Sequence, residues 1–355
     1  MNLAEQKMKQ CNIISMINYK GGVAKTTSTF NLAAGLSFLG KKKVLVIDLD
    51  PQCSLTNICL KSYGRKINNH ILDISSLDID TTINHVFKQY LNQTVFRSEV
   101  SIDLDRVIFE KFYTDEYQWD FIPATMFDYT DSKYAKGLDD LQIDIAMHQF
   151  GEFTSIHHVT LLAKFIDDYD LENRYDYIIF DCPPANNITT QNALVVSDYI
   201  LIPTIMDAMS TNGIVHLYNL INETIFGKLE DLYYRNKSPN LPSYFKFLEK
   251  GAPKLLGIFE TLRKPQVNVE LYVNEIMGNP QLRDHFFSDN VIHNIISTAR
   301  NTGEGYSVFS EGIYKNQTSI KPKIEYAQVA LEVLHRTQSE YDIEFMNSQL
   351  RKYMR

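Results

Sequence analysis

The stretch that most constrains this chain is Asn18-Tyr19-Lys20-Gly21-Gly22-Val23-Ala24-Lys25-Thr26-Thr27, which follows an apolar run and leads at once into a helical pattern. Strand, Gly-rich loop and helix N-terminus in that order make a cradle for phosphate. Small residues let backbone amides turn inward, and the positive end of the helix dipole adds to their field. Lys25 is then placed to reach the β- and γ-phosphates of a nucleotide, and Thr26 to ligate Mg²⁺. The strict pattern G-x-x-x-x-G-K-[ST] is not met, because Tyr19 and Ala24 stand at its two glycine positions. In its place stands Lys20-Gly21-Gly22-x-x-Lys25-Thr26-Thr27, whose six fixed residues arise by chance at about 10⁻⁷ per position. A Cβ at Ala24 calls for an ordinary negative φ and a loop that wraps less tightly than glycine allows.

Around this loop, short apolar runs recur: Ile13–Ile17, Val44–Ile47, Tyr177–Phe180, Tyr199–Ile202 and Leu255–Phe259. They are continuous rather than alternating, as in strands buried on both faces of a parallel sheet. Helical patterns lie between them. Thr26 to Leu39 carries apolar residues at helical spacing, with Gly40 as its stop. The expected fold is therefore α/β, a doubly wound, mostly parallel sheet flanked by helices. Asn236–Pro242 reads as a surface loop.

The loop resembles that of the deviant Walker A ATPases of the ParA/MinD group, a branch of the P-loop NTPases. Two further motifs fall in the group's order. Asp48-Leu49-Asp50-Pro51-Gln52, ending the second apolar run, is similar to its D-x-D-P-Q segment. Tyr175–Pro184, with Asp181 at the end of its apolar run, is similar to its Walker B strand. An aspartate ending such a strand can face Mg²⁺ through a water, which assigns Thr26, Asp48 and Asp181 to the metal. The resemblance implies that Lys20, Gly21, Gly22, Val23, Ala24, Lys25, Thr26 and Thr27 hold ATP. It further implies that Lys20 reaches across a dimer interface, and that Lys20, Lys25 and Asp50 are catalytic, Asp50 orienting the attacking water. Leu256–Leu262 and Asn290–Phe309 resemble the group's later strands and adenine-side loop, with His293 where Pro is usual. The whole chain, 1–355, is expected to form one such domain, with insertions near 61–118 and 226–252 and a helical extension at 337–355.

The net charge is −8, from 35 basic and 43 acidic residues, which excludes a generally basic nucleic-acid coat. The acidity is local: residues 61–175 hold 11 basic and 20 acidic residues, and the remainder sums to about +1. No apolar stretch is long enough for a transmembrane helix, and Met1–Gln6 lacks the pattern of a secretory signal. Four cysteines without CxxC pairing suggest a reducing cytoplasm and argue against an iron–sulfur carrier.

Within the group, Asp50-Pro51-Gln52 points to ParA rather than MinD. About ten residues precede the first run, which leaves no room for an N-terminal helix-turn-helix domain. A ParA-type chain implies a homodimer formed on ATP binding, non-specific DNA, a ParB-like partner that stimulates hydrolysis, and a place on the nucleoid. It would partition or position plasmid, chromosome or other cargo. Lys321 and Lys323 match the group's basic positions, and Arg263, Lys264 and Arg300 are further candidates for DNA contact. Two rival readings are a MinD-like membrane ATPase acting through the amphipathic tail Ile343–Arg355, and a regulatory or scaffold ATPase subunit of a larger complex. A membrane is not expected as a partner.

Overall fold

A computed structural model describes residues 11–68, 71–110, 119–127, 137–149, 156–310 and 317–354. Seven strands, β1 (Asn12–Met16), β2 (Val44–Asp48), β3 (Asp120–Ile122), β4 (Tyr177–Asp181), β5 (Tyr199–Thr204), β6 (Lys254–Arg263) and β7 (Phe286–His293), form one sheet ordered β3-β2-β4-β1-β5-β6-β7. Every strand pairs parallel with its neighbours. The continuous apolar runs are explained by helices on both faces. On β1 and the residue after it, Ile13 and Ile17 enter one core while Ile14 and Met16 enter the other; on β4, Ile178 and Phe180 divide from Tyr177 and Ile179. One core is covered by helices α1 (Lys25–Phe38), α2 (Ser54–Asn68) and Gln317–Arg336, the opposite one by Leu161–Asp168 and Ile188–Val196.

The topology places the site. From β1 the chain winds outward to β2 and β3, returns to β4 beside β1, then crosses to β5 on the other flank. The C-terminal end of β1 is thus the switch point, where neighbouring connections diverge and leave a crevice for a ligand.

Two local expectations are refined. Helix α1 ends at Phe38, and the left-handed residue that closes it is Lys41 (φ 52°), not Gly40. The Lys42 amide bonds the Leu36 carbonyl at 3.1 Å, and a Cβ on Gly40 would sit 2.7 Å from that same oxygen. Gly40 is needed for close approach rather than for positive φ. The tail forms the helix Ile343–Met354, which buries Met346 and sets Phe345 against Phe38 at 6.4 Å between ring centroids. Its apolar face therefore packs on the end of α1; Arg355 lies outside the described residues. Gly40→Ala should force the helix end apart and lower stability by about 1–3 kcal/mol. A urea midpoint matching wild type would show that the turn relaxes without cost.

Candidate functional site

The loop after β1 is held from outside itself. Asn18 donates from Nδ2 to the Pro203 carbonyl at 2.9 Å and accepts the Lys20 amide on Oδ1 at 2.9 Å. Thr261 Oγ1, on β6, lies 3.0 Å from the Val23 carbonyl and 3.1 Å from that of Thr204, sharing its proton between them. The first turn of α1 takes the Ala24 carbonyl through the Ser28 amide at 2.9 Å. Between these anchors Gly22 has φ +72°, and a Cβ built on Gly21 or Gly22 would meet nothing within 4 Å. The loop is an open cradle.

Ala24 overturns its expectation. It takes φ 59°, ψ 34°, the left-handed conformation proper to glycine, and not a negative φ. Pinning of Val23 on one side and of the helix start on the other leaves it no alternative, at a cost of about 1–2 kcal/mol. The loop thus keeps its tight wrap in spite of the methyl group.

Lys25 is buried, and its Nζ donates to the carbonyls of Asn18 at 3.0 Å and Lys20 at 3.4 Å. Burial lowers its pKa, and Asp181 and Asp50 pull it partly back. A buried ammonium held by loop carbonyls suits an anionic group lying in the cradle. Lys20, half-exposed, pairs instead with Asp207 of the loop after β5. Thr27 is half-buried at the third position of α1, its carbonyl taken by Asn31 Nδ2 at 2.8 Å.

Facing Lys25, Asp181 ends β4 and Asp48 ends β2, in register with each other and each about 1% exposed. Asp181 accepts Thr26 Oγ1 at 2.7 Å and Thr29 Oγ1 at 3.1 Å. Asp48 accepts the Asp50 amide at 3.1 Å and, on its other oxygen, the Thr56 amide and hydroxyl, both at 2.8 Å. Thr56 Oγ1 in turn receives the Ala124 amide at 2.8 Å, so Asp48 ties β2, α2 and the loop after β3 together. Burial is the main cause pushing Asp48 up to about 8, with Asp181 adding to it, and burial likewise pushes Asp181 up to about 6. Asp50 is half-buried at the rim, with Oδ1 on the Gln52 amide at 2.9 Å.

A family model described as an AAA domain (AAA_31) matches residues 11–126 and 142–232, from β1 through the cradle and both buried aspartates to beyond β5. The chain belongs to this family of ParA-type P-loop ATPases. Among relatives of the ParA-type chain, Soj of Bacillus subtilis, a sporulation initiation inhibitor protein, is 29% identical over 209 residues, 59% of this chain and 64% of Soj. The chromosome partitioning protein ParA of Myxococcus xanthus is 28% identical over 268 residues, 75% of this chain and 70% of that one. The chain spans 52% to 64% of the length of the first curated relatives it matches. Among solved structures, a Cyanothece McdA variant in complex with ATP superposes over 94% of this chain and 99% of its own, with 18% identity and a TM-score of 0.60. The pNOB8 ParA bound to nonspecific DNA covers 92% and 99%, with 22% identity and a TM-score of 0.50. These likenesses show the fold.

The basic candidates of this ParA-type chain divide. Lys264, Arg300 and Lys321 are exposed, Lys321 lying 3.9 Å from Glu325. Lys323 is 4% exposed, which removes it from any surface stripe: it falls on the inward face of Gln317–Arg336. Arg263 forks onto the buried Glu260, so its charge is already matched. His293 spends its Nδ1 on Glu325 at 2.6 Å, fastening β7 to the same helix.

Sequence reasoning missed Asn18, Thr29, Thr56, Thr261 and Asp207. Thr29 could have been found, because it lies one turn beyond Lys25 and Thr26 on the face turned to β4. The others hold the site chiefly through tertiary contacts, such as that of Asn18 to the Pro203 carbonyl, which leave no local signal.

Two outcomes follow for this site. Ala24→Gly should relieve the left-handed strain and raise stability by up to about 1 kcal/mol; a lower melting temperature would locate the strain elsewhere. For the aspartates, folded pKa values raised above their unfolded ones mean stability present at low pH and lost as pH rises through about 6 and then 8. The melting temperature of nucleotide-free protein should accordingly fall from about pH 4 to about pH 8 and level off above that, and Asp48→Asn should flatten the fall.

Proposed function

We propose that the chain is a Mg²⁺- and ATP-dependent dimerising ATPase that binds DNA non-specifically and positions a plasmid, chromosome or other cargo. The observation that carries this reading is the buried Asp48–Asp181 pair set beside Thr26 and Lys25 on an open cradle. Two buried carboxylates with raised proton affinity fit a divalent cation, and a buried ammonium beside them fits phosphate. Among the described residues no group of three or more His, Cys, Asp and Glu side chains is placed to hold a metal alone. Thr26 would therefore hold Mg²⁺ directly, with Asp181 and Asp48 acting through water, as suits a cation that keeps part of its hydration shell. The bound cation would neutralise charge on the β- and γ-phosphates.

The protein's own groups supply the rest. Amides of Gly21 to Thr27 orient the triphosphate at the start of α1. Lys25 leaves its loop carbonyls for phosphate oxygens, a shift within one side chain's reach. Asp50, at the rim and not bound by the α2 anchor, orients the attacking water, while Lys20 stabilises charge from across a dimer interface. Phosphoryl transfer depends chiefly on such positioning and charge stabilisation.

DNA binding would use the exposed Lys264, Arg300 and Lys321 as a patch on the dimer, with affinity falling steeply as salt rises. The relatives named for chromosome partitioning and the pNOB8 protein bound to nonspecific DNA support this role. A ParB-like partner stimulating hydrolysis would return the dimer to monomers, and the protein would work in the cytoplasm on the nucleoid. Among the described residues no helix is long and apolar enough to cross a membrane. We also read the chain as one domain, 1–355, enlarged near 61–118 and 226–252.

Lys25→Ala should abolish ATP-dependent dimerisation in sedimentation; persistence of the dimer would sink the phosphate assignment. Asp50→Ala should retain ATP and hold the dimer on DNA, with turnover down at least about 100-fold as for loss of a group acting on the nucleophile. Wild-type turnover in that variant would remove Asp50 from the chemistry. DNA retention compared under ATP, ADP and no nucleotide, across salt, tests the whole reading.

A further inference from the structure

Lys20 has a partner in its own chain. Its Nζ pairs with Asp207 Oδ2 and lies 3.4 Å from Ser210 Oγ, in the turn that starts the helix Ser210–Asn219. The other carboxylate oxygen of Asp207 accepts Ser210 Oγ at 2.9 Å and the Met209 amide at 3.1 Å. Asp207 therefore does two things with two oxygens: one closes the turn that leads into the helix, the other holds the ammonium. Withdrawal of Lys20 would leave the carboxylate with both of its remaining donors, so the two functions separate. The side chains are 32% and 42% exposed, which leaves the pair open to an incoming anion and keeps it weak.

The Lys20 backbone, by contrast, is fixed. Its amide is on Asn18 Oδ1 at 2.9 Å and its carbonyl receives Lys25 Nζ at 3.4 Å, so only the side chain is free to change partners. The same Asp207 lines a cavity of about 510 Å³ with Ile205, Met206, Glu260, Arg263 and Lys264 at the ends of β5 and β6. Met209, next along the turn, is 79% exposed. The carboxylate thus stands at an open edge of the site, between the loop and an exposed apolar side chain.

We propose that Asp207 is a positioning residue that parks Lys20 in the free subunit, competing with nucleotide phosphate for it and so setting how readily nucleotide drives two subunits together. This rests on the dimerising-ATPase reading above. A half-exposed pair is worth a factor of roughly 1.5 to 5. Two such pairs open per dimer, so the factor enters squared, at roughly 2 to 25 in the dimerisation constant.

Asp207→Asn tests this, since the amide oxygen still accepts the Met209 amide and the Ser210 hydroxyl while the charge is gone. With the full chain, Mg²⁺ and the non-hydrolysable AMPPNP, Asp207→Asn should tighten the dimer in sedimentation equilibrium by roughly 2- to 25-fold. The effect should vanish in a Lys20→Ala background, because a contact shows as non-additivity between its two members. Weaker dimerisation of Asp207→Asn would overturn the proposal and make Asp207 part of the closed interface. Equal tightening with and without Lys20 would also overturn it, leaving only repulsion between Asp207 and phosphate. Wild-type protein that stays monomeric with AMPPNP would instead overturn the function reading, and dimerisation of wild type separates the two cases. A circular dichroism melt of Asp207→Asn that matches wild type shows that the turn into the helix is intact.

Discussion

Two carboxylates with nowhere to put their charge govern this molecule. Asp48 and Asp181 end adjacent parallel strands, nearly sealed from water, at a register that sets them side by side. Neither could be tolerated ionised without donors, and the surrounding chain supplies them: hydroxyls of Thr26 and Thr29 for one, the start of α2 and Thr56 for the other. The aspartates differ in consequence. Asp48 takes three donors from its own chain and works as a bolt between β2, α2 and the loop after β3, with one side of Oδ1 left for a water, whereas Asp181 is held only by hydroxyls, which can rotate to serve a cation.

The cradle is likewise shaped by its surroundings. Asn18 reaches to β5 and Thr261 reaches from β6 to the Val23 carbonyl. Strands on the far side of the switch point therefore decide the loop's path, although β6 lies more than 200 residues away in sequence and beyond the segment the family model matches. The family likeness is concentrated in the first five strands, and part of what holds the phosphate loop in shape lies outside it.

Much of the architecture was legible because its causes are local. A doubly buried strand must be apolar at every position, so the runs at Ile13–Ile17, Val44–Ile47 and Tyr177–Phe180 announced a parallel sheet, and the glycines between the first run and the first helix announced the cradle. What stayed hidden is what depends on distant partners. Ala24 was expected at negative φ because the residue itself prefers it; the anchors on either side, invisible in sequence, override that preference. Gly40 was read as the stop of the first helix; it is needed for the close contact with Leu36, and Lys41 takes the left-handed turn. Lys323 looked like surface because lysines usually are, yet helical phase relative to the sheet turned it inward while Lys321, two residues earlier, faces out. The Asp207 contact to Lys20 spans 187 residues and leaves no trace in any local pattern.

The left-handed alanine has a kinetic meaning as well as an energetic one. A loop forced into an unfavourable backbone by its neighbours is already committed before any ligand arrives, so its ordering entropy is settled during folding rather than at binding. Such a loop behaves as a mould. Capture of a nucleotide would then be governed by encounter and by the exit of water from the cradle, and selectivity would lie in how well an incoming anion matches a shape that does not adjust to it.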